Sequence, residues 1–156
     1  MANKNNDRES GGFRQTKRAL REGAFIIYFE SLFRDDPIRD IFDITSECGE
    51  VSENLRISEE SCELACRVAE KAADVDKIIG KYSTKRSIDR IPKINLALLR
   101  LALYEATYAD DVPVNVAISE AVAIAEKYAQ DADVAFINGV LGAYSRSQKK
   151  DAPENE

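Results

Sequence analysis

Arg14, Lys17, Arg18 and Arg21 place four cations within eight residues of a chain that is otherwise acidic, with 22 Lys and Arg against 28 Asp and Glu and a formal net charge of -6. Side chains at that spacing spread round the first turn of a helix and the arm before it, where they can meet the phosphates of a nucleic-acid backbone. The free N–H groups of a first helical turn add their own affinity for anions. A plainer reading is a solvated helix end, the usual fate of a surface charge run. Either way the cations sit at the unfavourable end of the helix dipole, where each costs roughly a few tenths of a kcal/mol unless an anion offsets it. The sequence poses the question of which anion that is.

Other chemistry is narrowly bounded. Histidine is absent, which excludes Ser-His-Asp and Cys-His catalysis and every zinc site that needs imidazole. Cys48, Cys62 and Cys66 form an odd set, and the last two share a helical face at a spacing that reads as core packing. The adjacent carboxylates Asp35-Asp36, Glu59-Glu60 and Asp110-Asp111 fall at helix ends or in loops, with no apolar pocket in the pattern to raise a pKa for acid-base work. A glycine-rich phosphate loop is missing. The expectation is a protein without catalysis, cofactor or metal. Phe136, in "AFINGVLG", reads first as a core residue; at the surface beside cations, its ring could stack on an unpaired base.

The elements that must position these residues are helical. In "TKRALREGAFIIYFESLF" the apolar residues Leu20, Ala24, Ile27, Tyr28 and Leu32 recur three and four apart behind Thr16, a cap-type residue. Pro37 opens a short helix that "CGEVSEN" ends, and Ser58 opens a long one reaching Tyr82. A polar connector, "STKRSIDRIPK", leads through Pro92 to "KINLALLRLALYEATYA", apolar nearly all round and so expected at the centre of the fold. "PVNVAISEAVAIAEKYA" and "DVAFINGVLGAY" supply two more helices, with Leu98, Leu101, Leu103 and Ile118 expected to be buried. Gly139 and Gly142 predict close helix-helix contact. No strand pattern appears. The reading is an all-α domain of about seven helices over 14–146, with polar tails at 1–13 and 147–156 expected to be disordered. No apolar run is long enough for a membrane span and the N-terminus lacks a signal-peptide centre, so a cytoplasmic location is expected.

The blocks "TKRALREGAF", "RIPKINLALLRLALYEATYADDVPVNVAISEAVAIAEKYA" and "FINGVLG" resemble the NusB family of transcription antitermination factors. The match is specific from Ile88 to Gly142, moderate over Lys17 to Phe29, and weak through 34–75. The resemblance implies an all-α NusB-like fold of two antiparallel three-helix bundles. It also implies binding of single-stranded boxA-type RNA together with NusE, a small-subunit ribosomal protein, within an RNA polymerase antitermination complex containing other Nus factors. Carried over by position, it implies RNA contacts from Lys17, Arg18, Arg21, Phe29 and Phe136, and a NusE-facing surface at Asp89, Arg90 and Asn95. On this reading the sought anion is RNA phosphate.

The chain departs from the family pattern where it matters for affinity. Ala135 and Asn115 stand where the family usually has cations, Ser119 where Asn is usual and Asn95 where an acid is usual. Each missing cation removes a phosphate contact and its share of salt-dependent affinity. An alternative is therefore a helical protein-binding adaptor with little RNA affinity of its own. A detached N-terminal domain of an RNA-modifying methyltransferase is disfavoured, because 156 residues leave no room for the α/β cofactor domain.

Overall fold

The computed structural model describes residues 15–48 and 57–151. Arg14, the 1–13 arm, most of the "CGEVSEN" break and residues 152–156 lie outside the described residues. Six α-helices follow one another: α1 Lys17–Ser31, α2 Ile38–Cys48, α3 Glu59–Tyr82, α4 Lys93–Tyr108, α5 Val114–Tyr128 and α6 Asp131–Asp151. A 3-10 turn at Ile88–Arg90 precedes α4, and no strand occurs among the described residues. This is close to the seven helices expected.

The helix starts follow local chemistry. Thr16 Oγ1 accepts the Ala19 N–H at 3.0 Å, and Ser58 Oγ accepts the Ser61 N–H at 3.1 Å, each satisfying a donor that the first turn leaves unpaired. Pro92 and Pro113 stand directly before α4 and α5, where a fixed φ favours the first turn and no N–H is lost. At its other end α6 runs five residues into the segment that composition assigns to a tail. Tyr82 Oη donates to Ser147 Oγ at 2.7 Å, tying that extension to α3.

Helices α1 to α3 pack as one group and α4 to α6 as a second, joined mainly where α3 meets α4; α1 also reaches α4. The all-round apolarity of α4 has the consequence expected of it. Leu98, Leu99, Leu101 and Leu103 are buried at its centre, because α4 touches helices of both groups. Ile118 departs from expectation. It is only half-buried, since α5 turns Ala117, Ala121, Ile124 and Ala125 inward and leaves Ile118 at the groove shared with Asn138 and Gly142.

The glycines also correct the reading. At Gly139 an added Cβ would meet nothing within 4 Å, and at Gly142 only the Arg146 guanidinium at 3.3 Å. The close approach is at Gly23, where a Cβ would stand 2.8 Å from Ser61 Oγ. Ser61 itself is buried and donates to the Leu20 carbonyl at 2.9 Å, so α1 and α3 meet backbone to side chain at that point. Gly139 keeps the usual helix penalty of about 0.5–1 kcal/mol against alanine with no packing reason for it.

Candidate nucleic-acid interface

The three described cations of the first turn have three different fates. Arg21 is buried: its Nε donates to both oxygens of Glu105, at 2.8 and 3.0 Å, and its guanidinium also lies 3.5 Å from Glu120. Arg18 donates to Glu120 at 3.2 and 2.6 Å, but its side chain remains 56% exposed. Lys17 is exposed at the mouth of a cleft of about 470 Å³ lined also by Arg67, Tyr104, Tyr108, Asp110 and Asp111.

The anions that offset the first turn are thus carboxylates of the protein. Glu105 projects from the mainly apolar α4 and Glu120 from α5. At the residue after Arg21 the polarity reverses, with Lys127 Nζ and Tyr128 Oη donating to the buried Glu22 at 2.8 and 2.7 Å. Burial pushes the Glu105 carboxyl above its ordinary range, and the Arg21 hydrogen bond pulls it back. At Glu120 the Arg18 hydrogen bond dominates and holds the carboxyl below its ordinary range. The Glu120 contribution to stability is therefore present above the unfolded-state pKa, and is lost as pH falls through the lower folded-state value.

Burial separates the two pairs in function. Arg18 meets the mostly buried Glu120 from the solvent side, where water and salt screen the pair, so the contact adds little to stability and Arg21 still faces Glu120 without it. Breaking a buried pair costs about 3–5 kcal/mol, which holds Arg21 to Glu105 and away from any ligand at the surface. This corrects the expectation for Arg21: it ties α1 to α4 and is withdrawn from solvent.

Phe29 is half-buried in an aromatic run. It stacks on Phe25 with centroids 5.7 Å apart and meets Phe33 edge-on at 5.1 Å, while Lys93 Nζ stands 5.6 Å over the exposed Phe33 ring. Asp89 and Arg90 are exposed in the 3-10 turn. Asn95 contradicts its predicted place on a partner surface, because it is 0% exposed and its Nδ2 donates to Asp133 Oδ1 at 3.1 Å. It joins the starts of α4 and α6.

Phe136 is half-buried against the core, and the Arg86 guanidinium carbon lies 4.9 Å from its ring centroid. Beside the ring is a pocket of about 360 Å³ reaching Lys81 and Lys85 at the end of α3. The contacts Asn95–Asp133 and Thr107–Tyr144 set α6 alongside α4 in the same direction. Phe136, one turn after Asp133, therefore lies toward the start of α4, whereas Lys17 shares a cleft with Tyr108 and Ala109 at its end. The structure places Lys17 and Arg18 near the end of α4 and Phe136 toward its start.

Sequence reasoning missed Arg86, Lys81 and Lys85, reading them as helix end and connector. It also missed Glu105, although a carboxylate in a helix expected at the centre of the fold is itself a signal that a buried partner exists. Among the described residues no group of three Cys, Asp or Glu side chains could hold a metal ion, and no helix is long and apolar enough to cross a membrane.

Residues 18–146 match the sequence model of the NusB family. The transcription antitermination protein NusB of Acetivibrio thermocellus is 34% identical over 140 residues, covering 90% of this chain and 95% of that one. Among solved structures, NusB of T. maritima superposes with a TM-score of 0.70 at 27% identity, covering 91% of this chain and 96% of the other. A structure of antitermination factors NusB and NusE in complex with dsRNA superposes at 0.69 and 22% identity, covering 84% and 96%.

Proposed function

This chain belongs to the NusB family, and from that premise we propose that it is a non-catalytic, cytoplasmic RNA-binding factor in transcription antitermination. It binds single-stranded boxA-type RNA together with NusE, acting on ribosomal RNA transcription with RNA polymerase and other Nus factors. The observation that carries the reading is a half-buried aromatic ring, Phe136, held under a guanidinium at the surface of a domain matched along its length to antitermination proteins. A NusB–NusE pair bound to dsRNA supports RNA and NusE as partners. Phosphate contacts are assigned to Lys17 and Arg18, stacking to Phe136, and a supporting role at the same surface to Phe29. Asp89 and Arg90 form the NusE-facing patch, without Asn95.

The test is a titration of a boxA-type oligonucleotide, single-stranded and as a duplex, with and without NusE. The Lys17→Ala/Arg18→Ala variant should bind more weakly. Its log-log salt slope should be shallower by about 1.4, at about 0.7 per contact removed. Denaturant melts should change little, because Arg18 is more than half exposed and Arg21 still faces Glu120 when Arg18 is removed. An unaltered affinity and slope would make the protein an adaptor without RNA readout of its own.

The partner patch makes a separate prediction. Asp89→Lys should weaken co-purification with NusE and leave the melting temperature nearly unchanged, since Asp89 is exposed. A matching loss of stability would assign Asp89 to the turn before α4 instead.

A further inference from the structure

Glu120 is held twice from α1, and the two holds differ. Arg21 reaches it at 3.5 Å while keeping its own bonds to Glu105 at 2.8 and 3.0 Å. Arg18 comes from the solvent side and closes a two-pronged contact, Nε to Oε1 at 3.2 Å and Nη2 to Oε2 at 2.6 Å. A guanidinium makes the same fork with two oxygens of a phosphate as with a carboxylate. Packing does not require this one. The Arg18 side chain is more than half exposed, and α1 is tied to α4 and α5 without it, by Arg21 on Glu105 and by Lys127 and Tyr128 on Glu22. Lys17, the neighbouring cation, is exposed and makes no ion pair among the described residues. Of these three cations Arg18 alone is held by a carboxylate in reach of solvent.

We infer that Glu120 stands in for an RNA phosphate on Arg18, and so sets how tightly the first turn of α1 holds RNA. In the free protein the carboxylate fills the fork; in the complex a backbone phosphate takes its place. This rests on the RNA-binding reading and adds to it a residue that opposes binding. The exchange breaks one charged fork as it forms another, so Arg18 contributes only the difference between two anions. Glu120 keeps Arg21 throughout, and releasing Arg18 therefore leaves no isolated buried charge. A carboxylate built into the fold also competes at a high effective concentration. A free anion cannot match it, whereas a phosphate brought beside Arg18 by a strand already held at Lys17 competes on equal terms.

The experiment compares the wild-type protein, Glu120→Gln, Arg18→Ala and the double variant Arg18→Ala/Glu120→Gln. Each is titrated with a single-stranded boxA-type oligonucleotide in the presence of NusE, and denaturant melts check that each is folded. Glu120→Gln keeps the shape of the side chain and removes its charge, and it should bind RNA about 2- to 5-fold more tightly, the span of a screened ion pair. On the Arg18→Ala background the same change should have no effect, because the carboxylate acts through Arg18. Relief of general repulsion would instead help both backgrounds alike. A second measurement uses the wild-type protein alone and so does not depend on any variant folding. Its Arg18 Nε–H resonance should shift when the oligonucleotide is added with NusE, and stay in place at the same concentration of inorganic phosphate. Equal gains on both backgrounds, no gain on either, or an Arg18 resonance that RNA leaves unmoved would overturn the role of Glu120 and leave RNA binding standing. Absence of RNA binding by both the wild-type protein and Glu120→Gln with NusE would overturn both.

Discussion

Arg21→Ala is expected to destabilise the protein by about 3–5 kcal/mol, the cost of leaving Glu105 buried without its partner. Against the 5–15 kcal/mol that separates a typical domain from its unfolded state, this is a large fraction of the whole. The opposite result follows if Arg21 is a surface phosphate ligand: removing a first-turn cation would then be neutral or slightly stabilising. Magnitude alone therefore decides between the roles. The pH dependence adds a second check. Without Arg21, burial and the neighbouring charges of Asp111 and Glu120 all act on Glu105 in one direction and raise its folded-state pKa further. A raised carboxylate pKa costs stability as pH rises through the unfolded value, and in full above the folded one. The deficit should be largest at neutral pH and shrink as the solution is acidified. Denaturant melts at pH 7 and pH 5 would measure it, and adding Glu105→Gln to Arg21→Ala should recover part of the loss at pH 7. A variant as stable as wild type at both pH values would return Arg21 to the surface.

Leu101→Ala should cost about 2–5 kcal/mol. Leu101 is 2% exposed on α4, the helix that both three-helix groups pack against. The range reflects how far neighbours can collapse into the vacated volume, and a site enclosed by rigid helices on several sides favours its upper part. RNA affinity per folded molecule should be unchanged, because Leu101 lines neither the pocket beside Phe136 nor the cleft at Lys17. A loss below about 0.5 kcal/mol, as for a surface substitution, would remove α4 from the centre of the fold.

How far the sequence reaches is visible in three residues. Thr16 could be placed as a helix cap because the N–H it satisfies is three residues away, and a rule of that range needs no fold. Phe136 could be named as an interface candidate but not placed, since the same ring fits a core or a surface. Arg86 was invisible, because the ring it covers is fifty residues further along the chain.

By itself the sequence determined that the chain is helical, where most helices start, that α4 is central, and that histidine chemistry is excluded, each a consequence of composition or of periodicity within one turn or two. The family was legible too, through blocks whose order and spacing survive substitution. Only the tertiary structure decided which carboxylates two of the opening cations meet. Arg21 meets Glu105 and Arg18 meets Glu120 across 84 and 102 residues of sequence, pairings that no local pattern encodes. It likewise decided that Asn95 is buried against Asp133 and that Gly139, not a contact residue at all, opens a cationic pocket. Helix packing sets which charged side chains lose their water, and that loss, more than charge or spacing, separates a structural cation from one available to RNA.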